Sequence, residues 1–326
     1  MAFLNSAFRL LCATTFAWGV TSAAFAQQER WPNKPVRLVV TFPPGGASDV
    51  VARIIAVKLS ASLGQPFLVD NRPGADGMIG SEAVSKAAPD GHVLLISNVG
   101  PQGIAQTLYR DIRYDAINDF THIAHLGAIA HVLVVGAAFP AKNLQEFVQI
   151  AKTQPGKVDF GSGGPINQLT GELLKAKAGI QITNVPYKGT GQVLTELRGG
   201  MIPSAVLPLP SAIELMRAQQ LRALAVTSAQ RSPLAPDVPT FVELGYPDIV
   251  VENWVGISAP AKLRDDIVRR LVAEIGQLLA AEDVRAKMRQ VGMTVQFKGP
   301  GEFTRYVRAE IEKWRSIIIS SGMKIE

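Results

Sequence analysis

The sequence contains little cysteine and little histidine. Its 326 residues include one Cys and four His. A disulfide framework and a thiolate metal cluster are therefore excluded, and a metal site made only of histidines would need nearly all of them. Charged residues make up 18% of the chain, below the usual quarter or so, whereas Gly and Pro number 29 and 21. With 47% hydrophobic residues, this composition excludes intrinsic disorder and favours a loop-rich α/β protein over a coiled coil or solenoid.

The charge of the chain is positive but not concentrated. Its 33 Lys and Arg residues outnumber 27 Asp and Glu residues, which gives a net charge of +6. A basic chain can bind nucleic acid, a membrane surface or small anions. The basic residues are spread along the sequence rather than clustered, and this predicts no nucleic-acid interface. After the first 26 residues, no apolar stretch approaches the roughly 18 residues that a membrane span needs.

Residues 1–26 have the pattern of a secretory signal. Arg9 precedes an apolar run at 10–20, and the segment ends in Ala24-Phe25-Ala26, a cleavage site of the A-x-A kind. About 11 apolar residues are too few for a permanent membrane helix. We therefore predict cleavage after Ala26 and export to the periplasm, with the single cysteine, Cys12, leaving in the signal. A mature chain without cysteine suits an oxidising compartment.

Short apolar runs alternate with helical patterns along the rest of the chain. Strands are predicted at 36–42, 67–70, 92–97, 131–136, 158–161, 182–187, 204–209, 221–227 and 250–258. Helices are predicted at 48–63, 78–88, 143–153, 168–178, 191–197 and 211–218, and three more follow, the last near 302–321. The last helix has an apolar stripe of Phe303, Val307, Ile311, Trp314 and Ile318. This alternation predicts an α/β fold with mainly parallel sheets flanked by helices.

Two strand-to-helix corners have similar chemistry. Residues 42–49 read Phe-Pro-Pro-Gly-Gly-Ala-Ser-Asp, and residues 160–168 read Phe-Gly-Ser-Gly-Gly-Pro-Ile-Asn-Gln. Glycine lets backbone N–H groups approach a ligand closely, and the start of a helix carries unpaired N–H donors and a partial positive charge. One such corner is usually only a turn. Two corners, one in each part of the chain, predict a cleft that holds a carboxylate or phosphate.

The histidines raise the possibility of a metal site. His122, His125 and His131 lie close together in the sequence, and the first two could share a metal on a continuous helix. However, the following residues, 132–135, have a strand pattern, and no nearby acidic ligand completes the set. We expect no metal and no cofactor, with the histidines at the surface or at a hinge.

A hydrolase is the alternative of a different class. Ser48 next to Asp49, and Ser162 between glycines, are the candidate nucleophiles. No Gly-x-Ser-x-Gly motif occurs, and no His follows residue 131 to complete a Ser–Asp–His order. Phosphate-loop and dinucleotide-binding motifs are absent as well. The residues therefore favour binding over catalysis.

Several segments match a known family in order and spacing. They are Trp31-Pro32-Asn33-Lys34-Pro35-Val36-Arg37, residues 42–49, Asp70-Asn71-Arg72-Pro73-Gly74-Ala75, Ala88-Pro89-Asp90-Gly91, Val185-Pro186-Tyr187-Lys188-Gly189 and the block at 221–240. By these segments, nearly the whole chain after residue 26 resembles the Bug family, the solute-binding proteins of tripartite tricarboxylate transporters in Gram-negative bacteria.

The resemblance implies a fold and a function. The fold is a two-domain periplasmic binding protein of type II, the Venus flytrap class, with a hinge. Domain one would contain 27–128 and, with the C-terminal helices, 251–326, and domain two would contain 129–250. The function would be capture of a small organic carboxylate (a dicarboxylate, an aromatic acid or an amino acid) for membrane transporter subunits or, as an alternative, for a sensor kinase. We expect a monomer that is not an enzyme.

The resemblance also implies a binding site at the two corners. In the first domain the expected ligand-binding residues are Phe42, Pro44, Gly45, Gly46, Ala47, Ser48, Asp49, Met78, Ser97 and Asn98. In the second domain they are Gly161, Ser162, Gly163, Gly164, Asn167, Tyr187 and Leu207.

Asp49 and several departures from the family bear on the ligand. Asp49 would orient the loop or meet a cationic ligand group, or it is simply a favourable acid in a first helical turn. Many relatives have Asn in place of Met78, a Ser-Pro-His pattern near 164–168, and Asp and Asn in place of Leu207 and Pro208. The apolar residues here predict a carboxylate with an uncharged body rather than one with many charges.

Overall fold

The computed structural model describes residues 31–323, so the predicted signal and its cleavage site lie outside the described residues. The strands are β1 (Val36–Val40), β2 (Phe67–Asn71), β3 (Val93–Asn98), β4 (Phe120–Gly136), β5 (Val158–Ser162), β6 (Ile182–Pro186), β7 (Ser204–Pro208), β8 (Leu221–Val226), β9 (Glu252–Pro260) and β10 (Met293–Lys298). The helices are α1 (Ala47–Leu63), α2 (Met78–Ser85), α3 (Ala105–Leu108), α4 (Leu144–Thr153), α5 (Pro165–Ala178), α6 (Thr190–Arg198), α7 (Leu209–Arg217), α8 (Asp265–Ala280), α9 (Glu282–Gln290) and α10 (Pro300–Ser321).

The strands form one mixed sheet in two parts. The order is β2-β1-β3-β9-β4-β7-β5-β6, with β10 and β8 also paired to β4. We call the part with β1–β3, β9 and β10 the first half and the part with β5–β8 the second half. Parallel pairing joins β1 to β2 and β3, and β5 to β6 and β7. The strands β4 and β9 run antiparallel to their neighbours. Strand β4 extends through both halves, and the chain returns from the second half to the first where β9 begins.

Strand β4 is longer than its sequence pattern predicts. The prediction begins at 131, whereas the strand begins at Phe120 and has 17 residues. Residues 120–130 pair with β9 in the first half, and residues 131–136 pair with β7 and β8 in the second. Two histidines and a glycine interrupt the apolar pattern of residues 120–130, yet both histidine side chains are buried. The chain therefore crosses from the first half to the second between Ala130 and His131.

The C-terminal part contains the three predicted helices and one strand that was not predicted. Strand β10 lies between α9 and α10 and pairs antiparallel with β4. Its exposed polar residues weaken the apolar signal that marks a buried strand. The apolar stripe predicted for α10 is confirmed, since all five of its side chains are buried.

A shared core holds the two halves together beside the crossing strands. One cluster combines Ile104 of the first half, Leu133 of β4, Phe147 of α4 and Trp314 of α10. Helix α10 packs against α3 and also against α5 of the second half. The α/β character predicted from the sequence is confirmed, whereas independent motion of two domains stays a prediction. Between residues 31 and 323, no helix is both long and apolar enough to cross a membrane.

Candidate functional site

The first corner is held in shape by Asp49. Its carboxylate accepts hydrogen bonds from the backbone N–H of Gly45 at 3.0 Å, from Asn71 Nδ2 at 2.9 Å and from two nitrogens of Arg53 at 2.9 and 3.0 Å. Asn71 Nδ2 also donates to the carbonyl of Phe42 at 3.1 Å. The hydrogen bond from Arg53 is the main reason that the pKa of Asp49 falls to about 2. Asp49 is buried and engaged by these donors, which supports the prediction that it orients the loop.

The second corner needs glycine because two backbone segments meet there. A Cβ on Gly163 would lie 2.7 Å from the backbone N of Thr190 and 2.9 Å from the carbonyl carbon of Gly189. Helix α5 begins at Pro165, three residues earlier than the predicted start, because proline fits the first helical position. Its first turn therefore begins directly after Gly164 and contains Asn167.

A cavity of about 330 Å³ lies beside the second corner, and Phe42 at the start of the first corner also lines it. Residues of both halves and of the crossing strand form its wall. They are Phe42, Asp76, Asn98, Val99, Gly100, Ile104, Ala105, Leu108, Tyr109, His131, Gly163, Gly164, Pro165, Ile166, Asn167, Thr190, Pro208 and Asn253. Five residues predicted from the sequence lie in this wall, namely Phe42, Asn98, Gly163, Gly164 and Asn167.

The other predicted residues of the first half lie outside the wall. Pro44, Gly45, Gly46 and Ala47 belong to the loop before α1 and to its first residue, and Ser48 is buried in the first turn. Met78 packs with a small cluster of side chains around Leu95. Ser97 is fully buried and accepts a hydrogen bond from Ser258, while its neighbour Asn98 lines the cavity. Successive residues of a strand point to opposite faces, so only one of the pair can reach the cavity.

The same alternation separates Leu207 from Pro208 in the second half. Leu207 is buried in the core of that half, whereas Pro208, which pairs with His131, lines the cavity. Gly161 and Ser162 lie at the end of β5 beneath the corner, and Tyr187 packs against the same core as Leu207.

Most polar residues of the wall are not predicted by the sequence. Asp76 lies in a short turn before α2, and its Oδ2 accepts a hydrogen bond from the hydroxyl of Tyr109. Asn253 is the second residue of β9, and Thr190 begins α6. These residues reach the cavity only through tertiary packing, and the glycines on either side of residues 75–76 were the one local signal of an unusual turn.

Two buried polar atoms of the wall have no hydrogen-bond partner among the described residues. They are Nδ2 of Asn167 and Nδ1 of His131, in side chains only 4% and 1% exposed. Burial lowers the pKa of His131 to about 4, against a smaller opposing effect of its hydrogen bond to the Val251 backbone. The imidazole is therefore neutral at neutral pH. Unpaired buried polar groups are costly, so these atoms indicate a place for a polar ligand.

The wall holds one formal charge. Within the described residues that line the cavity there is no Lys and no Arg, and Asp76 is the single carboxylate. A larger open groove of about 890 Å³ lies at the far end of the second half, around Phe139 and Arg198. That groove includes neither corner and none of the unpaired buried polar atoms. We therefore take the cavity at the corners as the candidate site.

The histidines of β4 were expected at the surface or at a hinge, and all three side chains are buried. His122 bonds through Nδ1 to Ser258 Oγ at 2.9 Å and through Nε2 to the Ala116 carbonyl at 3.0 Å. His125 bonds through Nδ1 to the Gln296 carbonyl at 2.6 Å. Burial lowers the pKa of both to about 4. Residues 31–323 contain no group of three or more His, Cys, Asp and Glu that could hold a metal ion.

Among the described residues that line the cavity, no nucleophile hydrogen-bonds to a histidine. The Ser–His contact of His122 involves Ser258, whose hydroxyl also contacts Ser97 at 3.1 Å inside the core. Neither Ser48 nor Ser162 hydrogen-bonds to a histidine within residues 31–323. The hydrolase alternative gains no support from this geometry.

Comparison with known proteins places most of the chain in one family. Residues 51–323 match the model of the tripartite tricarboxylate transporter family receptor. The chain is 34% identical over 307 residues to Protein BugT of Bordetella pertussis, which covers 93% of this chain and 94% of that one.

Solved structures extend the comparison to the fold. The R. palustris protein Rpa4515 with adipate has a TM-score of 0.78 at 32% identity and covers 90% of this chain and 98% of that one. MatC from Rhodopseudomonas palustris with bound malate has a TM-score of 0.74 at 31% identity, covering 88% and 100%. The periplasmic binding protein BugD has a TM-score of 0.75 at 28% identity, covering 90% and 99%. The chain has the two-domain periplasmic binding protein fold, and it belongs to the tripartite tricarboxylate transporter receptor family.

Proposed function

We propose that this chain is a periplasmic solute-binding protein that captures a small organic carboxylate between its halves and delivers it to a tripartite transporter. One observation carries the proposal: the second glycine corner opens into a cavity that Phe42 of the first corner also lines, and Asn167 of the second corner has a buried Nδ2 without an acceptor among the described residues. A carboxylate oxygen in the cavity supplies that acceptor.

The chemistry of the wall suits a carboxylate held without a salt bridge. No Lys or Arg lies among the described residues of the wall, so the attraction comes from N–H donors and from the positive end of α5. Hydrogen bonds to a charged oxygen are shorter and stronger than those between neutral groups. The apolar side chains of Ile104, Leu108 and Ile166 contact the remainder of the solute.

The relatives support this class of ligand. Rpa4515 was solved with adipate and MatC with malate, and both are carboxylates.

The proposed monomer is exported after cleavage behind Ala26, and its domains divide as 27–128 with 251–326, and 129–250. Those boundaries lie within a few residues of the two chain crossings, at Ala130–His131 and at the start of β9. Ligand contacts from both halves then favour a closed arrangement over an open one.

A thermal-shift screen of the mature chain tests the proposal. Each organic acid is paired with its primary amide, which keeps the shape and removes the charge. We expect a rise in melting temperature with at least one acid and a much smaller rise with its amide, because binding to the native state stabilises it. Equal shifts with acid and amide, or no shift with any acid, contradict carboxylate binding.

A further inference from the structure

We propose that Asp76 makes this site selective for carboxylates that also carry an ammonium group, so that the preferred solute is an amino acid and not a dicarboxylate. Such selection rests on the carboxylate site proposed above. In this proposal Asp76, which lies outside both glycine corners, determines which carboxylates the site prefers.

Asp76 lies on the first-half wall of the cavity. It is a neighbour of Gly100: a Cβ on Gly100 would lie 3.4 Å from Asn98 Oδ1 and 3.7 Å from both the Asp76 carbonyl oxygen and Phe42 Cζ. All four residues line the cavity. Asn167 and the second corner belong to the opposite half. A solute between the halves therefore has N–H donors on one side and a carboxylate on the other.

The backbone at Asp76 is unusual. Ala75 and Asp76 have φ angles of 45° and 48°, in the left-handed region that few residues other than glycine adopt. They lie between Gly74 and Gly77, with φ angles of 131° and 89°. Such conformations persist where the surrounding structure fixes them, and they are common at ligand sites. Aspartate tolerates the left-handed region better than most side chains.

Tyr109 fixes the direction of the Asp76 carboxylate. Its hydroxyl donates to Asp76 Oδ2, and both residues line the cavity. Because a tyrosine hydroxyl is neutral, this contact orients the carboxylate and leaves its charge in place. Asp76 forms no ion pair with a Lys, Arg or His side chain of residues 31–323.

The charge of the wall then decides between classes of solute. A second carboxylate on the ligand meets the Asp76 carboxylate with no basic side chain of the described wall to offset the repulsion. An ammonium group instead pairs with Asp76 and lies near the rings of Phe42 and Tyr109, whose faces also attract cations. Both effects grow when the halves close and exclude water.

A matched ligand series tests the selection. Hexanoate, 2-aminohexanoate, 6-aminohexanoate and adipate share a six-carbon chain and differ only in the added charged group. Their affinities for the mature chain are measured by isothermal titration calorimetry. We expect at least one of the amino acids to bind about three- to tenfold more tightly than hexanoate, and adipate to bind more weakly by a similar factor.

The variant D76N removes the charge and keeps a side-chain oxygen for Tyr109. It should erase the preference for the amino acids and improve adipate binding, with little change for hexanoate. D111N is the control, since Asp111 is an exposed acid that does not line the cavity, and it should keep the wild-type ranking. If D76N also keeps that ranking, the role of Asp76 is wrong. If no carboxylate binds the wild type, the proposed function fails and the selection with it.

Discussion

At the scale of single residues, the two glycine corners tolerate side chains differently. Gly46 has φ and ψ of −74° and 165°, and the nearest atom to a Cβ there is the Pro43 carbonyl oxygen at 3.6 Å. A Cβ on Gly163, in contrast, would lie less than 3.0 Å from two backbone atoms. The sequence alone assigns both glycines the same role, because the packing of α6 against the second corner is a tertiary contact.

The substitution Gly→Ser separates the two positions. Gly163→Ser forces the corner away from Thr190, and we expect a loss of about 1–3 kcal/mol in the free energy of unfolding together with weaker ligand binding. Gly46→Ser introduces a good N-cap residue for α1, so stability should be unchanged or slightly higher. Urea unfolding of both variants measures the difference. Equal destabilisation at the two positions contradicts the clearance found at Gly46.

Asp49 gives a prediction about acid stability. Its pKa is about 2 in the folded chain against an ordinary value of 3.8, so its contribution to stability is complete above about pH 4 and is lost as the pH falls toward 2. Asp49→Asn should lower the free energy of unfolding by about 1–3 kcal/mol at pH 7. The difference in the free energy of unfolding between wild type and variant should become small near pH 2. A gap of constant size from pH 7 to pH 2 contradicts the role of the Asp49 charge.

At the scale of secondary-structure elements, the sequence predicts only the second part of β4. Residues 132–135 are a plain apolar run, and they predict the strand at 131–136. Residues 120–130 contain His122, His125 and Gly127, a pattern typical of a loop. In the fold, however, the neighbouring strands and α10 bury both histidines. Strand β10 was missed for a related reason, since its polar side chains face outward at the edge of the sheet.

The buried histidines of β4 should make stability fall on mild acidification. His122, His125 and His131 each have a pKa lowered to about 4 from 6.5, so the unfolded chain takes up protons that the folded chain does not. Between pH 6.5 and 4, stability is lost as the pH falls, by about 3–4 kcal/mol per pH unit near pH 5. Unfolding titrations at several pH values measure this slope.

His125→Gln provides the control for that slope. It keeps an N–H donor for the Gln296 carbonyl and removes one titrating group. The slope near pH 5 should fall by roughly one third. A variant slope equal to that of the wild type would show that His125 is not protonated on unfolding.

At the scale of the whole molecule, the sequence predicts the class of fold but not how its parts meet. Most of the strands and helices, the two corners and the α10 stripe follow from local patterns, whereas β10 and the first part of β4 do not. The wall formed by Asp76, Tyr109, His131 and Asn253 does not, because these residues come from four separate segments that only the folded chain brings together. The family resemblance predicts the two-domain fold class, whereas the residues of the polar wall are identified only in the folded structure.

Closure of the halves is the large-scale motion that the proposal requires. The chain connects them through β4 and at the start of β9, and the proposed closure is a rotation about these crossings that would narrow the cavity. We expect small-angle X-ray scattering to show a smaller radius of gyration when the mature chain is saturated with the acid that gives the largest thermal shift. An unchanged radius at saturation contradicts capture by closure.

The most direct test of the central claim is isothermal titration calorimetry of that same acid against the wild type and Asn167→Leu. The leucine keeps the approximate size of the side chain and removes the buried donor. The account predicts one acid bound per wild-type chain and an affinity at least about tenfold lower in the variant, with little change in melting temperature. Equal affinity in the two proteins would contradict a carboxylate held at the Asn167 corner.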